Sequence, residues 1–439
     1  MNLRLGIRRE DKSIWERRVP IVPGHARQLQ EQHGIEIWVQ PSEVRVFREQ
    51  EFEQAGVRVE EDLSSCPVVF AVKEIPVDFF QPDQTYIFFA HVIKGQAYNM
   101  PMLKRMMKLG CHLIDYEKVT DERGRRLIFF GRHAGLAGMI DTLWALGQRL
   151  DCEGVPNPFS DLRQARHYAD LAEAKAAMSA VGERIAREGL PEQVTPLICG
   201  FAGYGNVFRG ADEIIKLLPV QEIEPHEVAA VAQSADYARD KLYKVVFKEE
   251  HTVEPISPEH NFELQDYYDH PEKYRPVFHN YIPHLTLLVN CVYWETKYPR
   301  LVTKADLKQL YAAAEPPPLR VIGDISCDVE GAIEGTIKST EPGDPVYVYD
   351  PDGDRAIDGV KGQGPVIMAV DILPSELPRD ASEYFSGVLM EYIPAIAQAD
   401  YSVPFEELAL PPEIKRAVIV YQGELTPDYS YIEKYLQKE

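Results

Sequence analysis

Short apolar runs alternate with amphipathic stretches through the first third of the chain. Residues 3–7 alternate in polarity as a strand does, residues 25–33 carry helical spacing, and residues 35–39 return to a strand pattern. Residues 68–72 and 87–90 are compact apolar runs, and residues 111–114 follow the basic, helix-like stretch 102–109. Strands separated by helices of this length predict a parallel sheet with crossover helices. Residues 134–150 read as a long helix with Ala134, Gly135 and Gly138 on one side, suited to close packing against another helix. The Pro/Asn/Asp-rich stretch 154–161 breaks the pattern, and residues 165–188 predict a second long, Ala-rich helix.

After Pro191 the pattern restarts. Residues 195–200 predict a buried strand, Gly200-Phe201-Ala202-Gly203-Tyr204-Gly205 a glycine-rich turn, and residues 210–218 a helix. Backbone N–H groups at a helix N-terminus, approached without obstruction by side chains, are what a dinucleotide's pyrophosphate needs. The third glycine of the usual fingerprint would fall at Phe208, with the small pair Gly210-Ala211 coming later, so the helix is expected to meet the sheet at a shifted position. Glu222 and Glu224 lie about 20 residues beyond the turn, where an acidic side chain binds the ribose hydroxyls of NAD; His226 and Arg239 are the cations available to the extra phosphate of NADP. Both glutamates also read as a solvated loop. Residues 225–311 are weakly patterned and suggest loops and short helices. Residues 319–324 and 366–371 predict later strands, and residues 382–399 a terminal helix.

Composition narrows the class. A chain of 439 residues is too long for one core and predicts two domains, and 45% apolar with 10% aromatic residues is ordinary for a globular enzyme. A formal charge of −22 disfavours nucleic-acid binding, which draws on clustered Lys and Arg. The cysteines Cys66, Cys111, Cys152, Cys199, Cys291 and Cys327 are scattered without a CxxC pair, so reduced thiols are expected and neither a metal site nor a disulfide framework. The N-terminus lacks the apolar run of a signal peptide, and no apolar run is long enough to span a bilayer. A cytoplasmic protein without a membrane partner is the expectation.

Several residues sit where chemistry is placed. Lys73 follows the apolar run 68–72, and His91 ends the run 86–90 in the equivalent position. Parallel-sheet enzymes put reactive groups at such strand ends, and partial burial would lower a lysine towards usefulness as a base. Arg18 offers a guanidinium for a carboxylate, or forms an ordinary surface ion pair with Glu16. Glu117 ends the strand-like run 111–116 or caps a loop. Asp324 and Asp328 follow the predicted strand 319–323.

A series of local motifs then points one way: Glu16-Arg17-Arg18-Val19-Pro20-Ile21-Val22-Pro23, Val72-Lys73-Glu74-Ile75-Pro76, Phe89-Ala90-His91-Val92-Ile93-Lys94-Gly95-Gln96, Ile114-Asp115-Tyr116-Glu117, Phe130-Gly131-Arg132-His133-Ala134-Gly135-Leu136-Ala137-Gly138, Asp324-Ile325-Ser326-Cys327-Asp328 and Asp371-Ile372-Leu373-Pro374-Ser375-Glu376-Leu377-Pro378. In this order they resemble the alanine dehydrogenase / saccharopine dehydrogenase superfamily, and within it the lysine–2-oxoglutarate reductase half of bifunctional aminoadipic semialdehyde synthases. The likeness runs from Arg8 to about Tyr431. Glu224-Pro225-His226-Glu227, Tyr293-Trp294-Glu295 and Pro299-Arg300-Leu301 favour the reductase branch over alanine dehydrogenase. His133 departs from the aromatic residue of the family motif.

The resemblance implies an α/β fold of two Rossmann-like domains with parallel sheets and a cleft between them. The discontinuous substrate domain would comprise residues 1–132 and 378–439, and the dinucleotide domain residues 133–377. It implies NADP(H) or NAD(H) as cofactor and lysine, 2-oxoglutarate and saccharopine as substrates, with a homo-oligomer as the family expectation. Lys73 and His91 would be the acid–base pair, tuned by Glu117; Arg18 and Arg126 would bind substrate. Gly203, Gly205, Asn206, Val207, Glu224, Asp324, Asp371 and Leu373 would hold the cofactor. The chain ends at Glu439, which implies the reductase half without the half that oxidises saccharopine. Two further readings stand beside this one: another amino-acid or opine dehydrogenase, and a cofactor-binding subunit without catalysis.

Overall fold

The computed structural model describes residues 3–312 and 316–437. The chain divides into two compact units, Met1–Phe130 with Pro378–Glu439 and Gly131–Leu377. Each is an α/β unit built on one eight-stranded sheet.

The first sheet runs Glu424–Leu425, Val418–Tyr421, His112–Asp115, Thr85–Phe88, Val68–Phe70, Arg4–Ile7, Glu36–Val39 and Arg58–Val59, edge to edge. The six strands from the N-terminal segment are parallel, and the two from the C-terminal segment pair antiparallel. The central strands Val68–Phe70, Thr85–Phe88 and His112–Asp115 are buried throughout, as expected of parallel strands covered on both faces. The predicted strands 3–7, 35–39 and 68–72 appear trimmed at their ends, whereas 87–90 and 111–114 appear shifted, as Thr85–Phe88 and His112–Asp115. The terminal helix does not run unbroken through residues 382–399. It splits into Pro378–Leu389 and Ile393–Gln398, with Pro394 in the first turn of the second piece, because a proline has no N–H for the helix interior.

The second sheet runs Arg355–Asp358, Val346–Asp350, Val366–Met368, Val321–Asp324, Leu287–Asn290, Ile198–Ala202, Leu242–Phe247 and Val220–Glu222. Here too six strands are parallel, and the pair at one edge is antiparallel. The weakly patterned region therefore supplies two central strands, Leu242–Phe247 and Leu287–Asn290. Helix Leu171–Glu188 begins later than its Ala-rich pattern suggested, because Asp170 caps it: its carboxylate accepts the Glu173 N–H at 2.8 Å. Gly189 ends it at φ +76°.

Helix Gly131–Cys152 crosses helix Asn206–Ile215 without room for a side chain. A Cβ on Gly135 would lie 1.9 Å from the Val207 carbonyl oxygen, and one on Gly210 would lie 2.0 Å from that of Arg132. Gly210 was expected to allow close approach to the sheet; it serves the helix–helix crossing instead. Gly138 packs on Ile325.

Among the described residues no helix is long and apolar enough to cross a membrane.

Candidate active site

In the first unit the chain leaves Arg4–Ile7 towards one edge of the sheet and Val68–Phe70 towards the other. Open α/β sheets bind ligands at such a switch point, outside the carboxyl ends of the strands. Lys73, His91 and Glu117 follow the carboxyl ends of three neighbouring strands, and Glu10 to Arg18 follow that of Arg4–Ile7. Glu10 is buried and ties the two sides together, its oxygens accepting the N–H groups of Val72 at 2.7 Å and Lys73 at 2.9 Å. Burial, reinforced by the nearby Glu16 carboxylate, raises the Glu10 pKa to about 7.

Arg18 and Glu16 do form an ion pair, but a buried one, at 4% and 2% exposure. Arg18 Nε and Nη2 donate to the two Glu16 oxygens at 2.7 and 2.5 Å. The guanidinium lies 4.3 Å from the centroid of the Phe130 ring, itself stacked on Phe385. Its inner edge is thus committed, while the Nη1 side of the fork carries donors for a second carboxylate. Burial of Glu16 works against its ionisation, yet Arg18 outweighs it and holds the carboxyl below its ordinary value.

Lys73 is pushed below its ordinary value, first by burial and then by the Arg18 charge. Among the described residues no carboxylate forms a salt bridge with its ammonium. His91 adopts a left-handed backbone, φ +49°, which a residue with a Cβ rarely does; Asn99 Nδ2 steadies the loop through the carbonyls of Ala90 and His91 at 3.0 and 3.3 Å. Such local strain is characteristic of positions where a side chain must be aimed. His91 Nδ1 meets Glu74 Oε1 at 2.8 Å, and Lys12 Nζ meets both Glu74 oxygens at 2.8 Å. Although burial favours its neutral form, those two partners hold the Glu74 carboxyl well below the usual range.

Glu117 lies apart from that chain of contacts and pairs with the half-exposed Arg126 guanidinium. Asp115, beneath it, is fully buried and raised to about 7 by burial. Sequence reasoning passed over Glu10, Lys12 and Glu74 as chemistry. Glu74 stood inside a quoted motif beside Lys73, and that adjacency was the available signal.

In the second unit the switch point lies between Ile198–Ala202 and Leu287–Asn290. Gly200 belongs to the strand, and the turn proper is Gly203-Tyr204-Gly205, with the helix starting at once at Asn206 rather than at residue 210. Gly203 has φ +94°, and a Cβ there would press within 3.0 Å of the Cys291 carbonyl. A Cβ on Gly205 would meet nothing within 4 Å. Gly205 and Asn206 are exposed at the N-terminus of a ten-residue helix. Open glycine backbone facing a helix N-terminus suits the pyrophosphate of a dinucleotide.

The other predicted cofactor residues are placed as follows. Asp324 is buried, raised to about 6 by burial, and accepts Asn290 Nδ2 at 2.8 Å and Thr336 Oγ1 at 2.5 Å. Asp371 is exposed and Leu373 buried at the end of the sheet's last parallel strand. Beyond the outermost strand the Glu224 N–H donates to Glu227 Oε2 at 2.7 Å, and Glu222 takes Lys244 Nζ at 2.5 Å. Arg239 precedes Leu242–Phe247, at the amino end of the sheet away from the glycine turn, and is held by Glu192 and the Leu190 carbonyl. It does not serve a phosphate at that turn. Among the described residues no cluster of His, Cys, Asp or Glu could hold a metal.

Comparison with known proteins agrees with this architecture. The N-terminal domain of the alanine dehydrogenase/PNT family matches residues 6–137, and its C-terminal domain matches residues 275–428. The alpha-aminoadipic semialdehyde synthase of Arabidopsis thaliana is 37% identical across 98% of this chain and 41% of that protein; the mitochondrial one of Bos taurus is 35% identical across 98% and 47%. This chain therefore spans less than half the length of those relatives. A saccharopine dehydrogenase [NAD(+), L-lysine-forming] of Yarrowia lipolytica is 26% identical over 91% of this chain and 93% of that one. An L-alanine dehydrogenase structure shares the fold, with a TM-score of 0.62 at 16% identity over 99% of both chains. With the family's N-terminal and C-terminal domains both matched, the chain belongs to the alanine dehydrogenase/PNT family of oxidoreductases.

Proposed function

We propose that this protein interconverts L-lysine plus 2-oxoglutarate and saccharopine, with a nicotinamide dinucleotide as the redox partner. The observation that carries the reading is the grouping of Arg18, Lys73 and the Lys12–Glu74–His91 chain at one switch point. Names of full-length relatives, saccharopine dehydrogenase and aminoadipic semialdehyde synthase, support the substrate class.

Joining an amine to a 2-oxo acid needs a cation for the acid's carboxylate and groups that move protons as the carbinolamine forms and dehydrates. The free side of the Arg18 fork holds the carboxylate of 2-oxoglutarate and turns its keto carbon towards Lys73. Lys73, with a lowered pKa, takes the proton from the attacking ε-ammonium of lysine. His91, with Nδ1 fixed on Glu74, gives and takes protons through Nε2 as water leaves. Arg126 and Glu117 form the outer wall. Gly203, Gly205, Asn206 and Val207 would hold the pyrophosphate of a nicotinamide dinucleotide, which would supply or accept the hydride of the reaction.

The test is an initial-rate assay crossing lysine and other amines with 2-oxoglutarate and pyruvate, each with NADH and NADPH. Oxidation of reduced cofactor that requires lysine and 2-oxoglutarate is expected. Turnover supported only by ammonia and pyruvate would move the protein to an alanine-dehydrogenase activity. Cofactor binding without turnover on any pair would make it a non-catalytic subunit.

A further inference from the structure

In dinucleotide folds the adenosine ribose is read by a side chain at the carboxyl end of the strand beside the glycine-turn strand. In this chain the strand next in sequence, Val220–Glu222, is not next in space. Leu242–Phe247 lies between it and Ile198–Ala202. Ala202 stands opposite Phe247, and the Gly203 N–H donates to the Phe247 carbonyl at 3.0 Å, so the pairing runs into the glycine turn itself. Val220–Glu222 is then two strand spacings, about 10 Å, from the turn strand. Glu222 is engaged by Lys244, and Glu224 lies still further along the chain, beyond that outermost strand.

The residues leaving Leu242–Phe247 are Lys248 and Glu249. Glu249 is anchored directly to the turn: Tyr204, its central residue, donates its hydroxyl to Glu249 Oε2 at 3.1 Å. Tyr268 donates to the other oxygen, Oε1, at 2.7 Å. The carboxylate is thereby held beside the glycine turn from two sides, at the level where a dinucleotide's ribose follows its pyrophosphate.

Resting on the nicotinamide-dependent reading above, we propose that Glu249 binds the adenosine ribose and sets the discrimination against a 2′-phosphate. A carboxylate offers about four lone-pair sites, so two tyrosine donors leave acceptors for the two hydroxyls of an unphosphorylated ribose. A 2′-phosphate brings no donor and a charge of about −2 against the carboxylate. Lys248 is exposed next to it, so neutralising Glu249 leaves a cation in place for the phosphate.

The experiment titrates NADH and NADPH into wild type, Glu249→Gln, Glu224→Gln and the Tyr204→Phe/Tyr268→Phe double variant, read by calorimetry and by kcat/KM. In Glu249→Gln the ratio of NADPH to NADH dissociation constants falls at least tenfold. In the double tyrosine variant it falls in the same direction by less, which keeps the test open if Glu249→Gln folds poorly. In Glu224→Gln it stays within twofold. A ratio unmoved by the Glu249 and tyrosine changes, or moved by Glu224→Gln, overturns the assignment while leaving the dehydrogenase reading intact. Wild type that binds neither dinucleotide overturns both.

Discussion

Glu74 Oε1 stands 2.8 Å from His91 Nδ1 and also accepts Lys12 Nζ at 2.8 Å. Because the Glu74 carboxyl is held well below the usual range, it is an acceptor only, and His91 Nδ1 must carry the proton. Nε2 is therefore the exchanging nitrogen. Replacing Glu74 by Gln removes the anion that stabilises the imidazolium. Glu74→Gln should lower kcat by about tenfold to a hundredfold, on the scale of lost acid–base assistance, with Glu74→Asp recovering part of the loss. A Glu74→Gln variant with undiminished kcat would dissociate Glu74 from the role of His91.

Lys73 offers a second handle on the pH profile. Its pKa is lowered by burial and by Arg18, and it must be neutral to accept a proton. In the condensing direction the rate should rise with pH through that lowered value. Lys73→Met should abolish this limb and cost on the order of 10² to 10⁴ in kcat. Stopped-flow measurement of cofactor oxidation against pH checks it, and an intact limb in the variant removes Lys73 from the reaction.

Glu10 links pH to folding. Burial raises its folded pKa from the ordinary 4.5 to about 7, so the folded state binds the proton more tightly than the unfolded one. The stabilisation is complete below about pH 4.5 and is lost as pH rises to about 7, a span worth roughly 3 kcal/mol. Glu10→Gln keeps one acceptor for the Val72 and Lys73 N–H groups but no longer titrates. Denaturant melts at several pH values should show the wild type losing stability across that window more steeply than the variant.

The Gly135–Gly210 crossing predicts a stability effect independent of the chemistry. Neither Cβ can be accommodated by rotating a side chain, since backbone carbonyls at 1.9 and 2.0 Å block them. Gly135→Ala or Gly210→Ala should cost about 3 kcal/mol, visible as a lower urea midpoint. Cofactor affinity should fall as well, because the displaced helix is the one whose N-terminus follows Gly205. Gly154→Ala, where a Cβ would meet nothing within 4 Å, separates steric loss from the backbone cost of its φ of +73°.

The strand ends of the first unit were legible because apolar runs and their polar stops are local signals: Lys73 after Val68–Phe70, and His91 after Thr85–Phe88. The glycine turn was legible for the same reason. The burial of Arg18 with Glu16 was not, since the same two residues on an exposed loop would spell an identical sequence. The partner of Glu117 was equally hidden; Arg126 reaches it across a hairpin, Thr120 bridging Arg126, that has no periodic signature.

Strand order shows where local reading stops. Composition, apolar spacing and the turn glycines determined that this chain builds parallel α/β units with a glycine turn leading into a helix, because burial and backbone freedom act on neighbours along the chain. Which strand lies beside Ile198–Ala202 was decided only in three dimensions. Backbone hydrogen bonds pair segments that are distant in sequence, and nothing in the pattern of Val220–Glu222 announces that Leu242–Phe247 takes the place beside the turn. That pairing moves the acidic residue next to the glycine turn from Glu222 or Glu224 to Glu249.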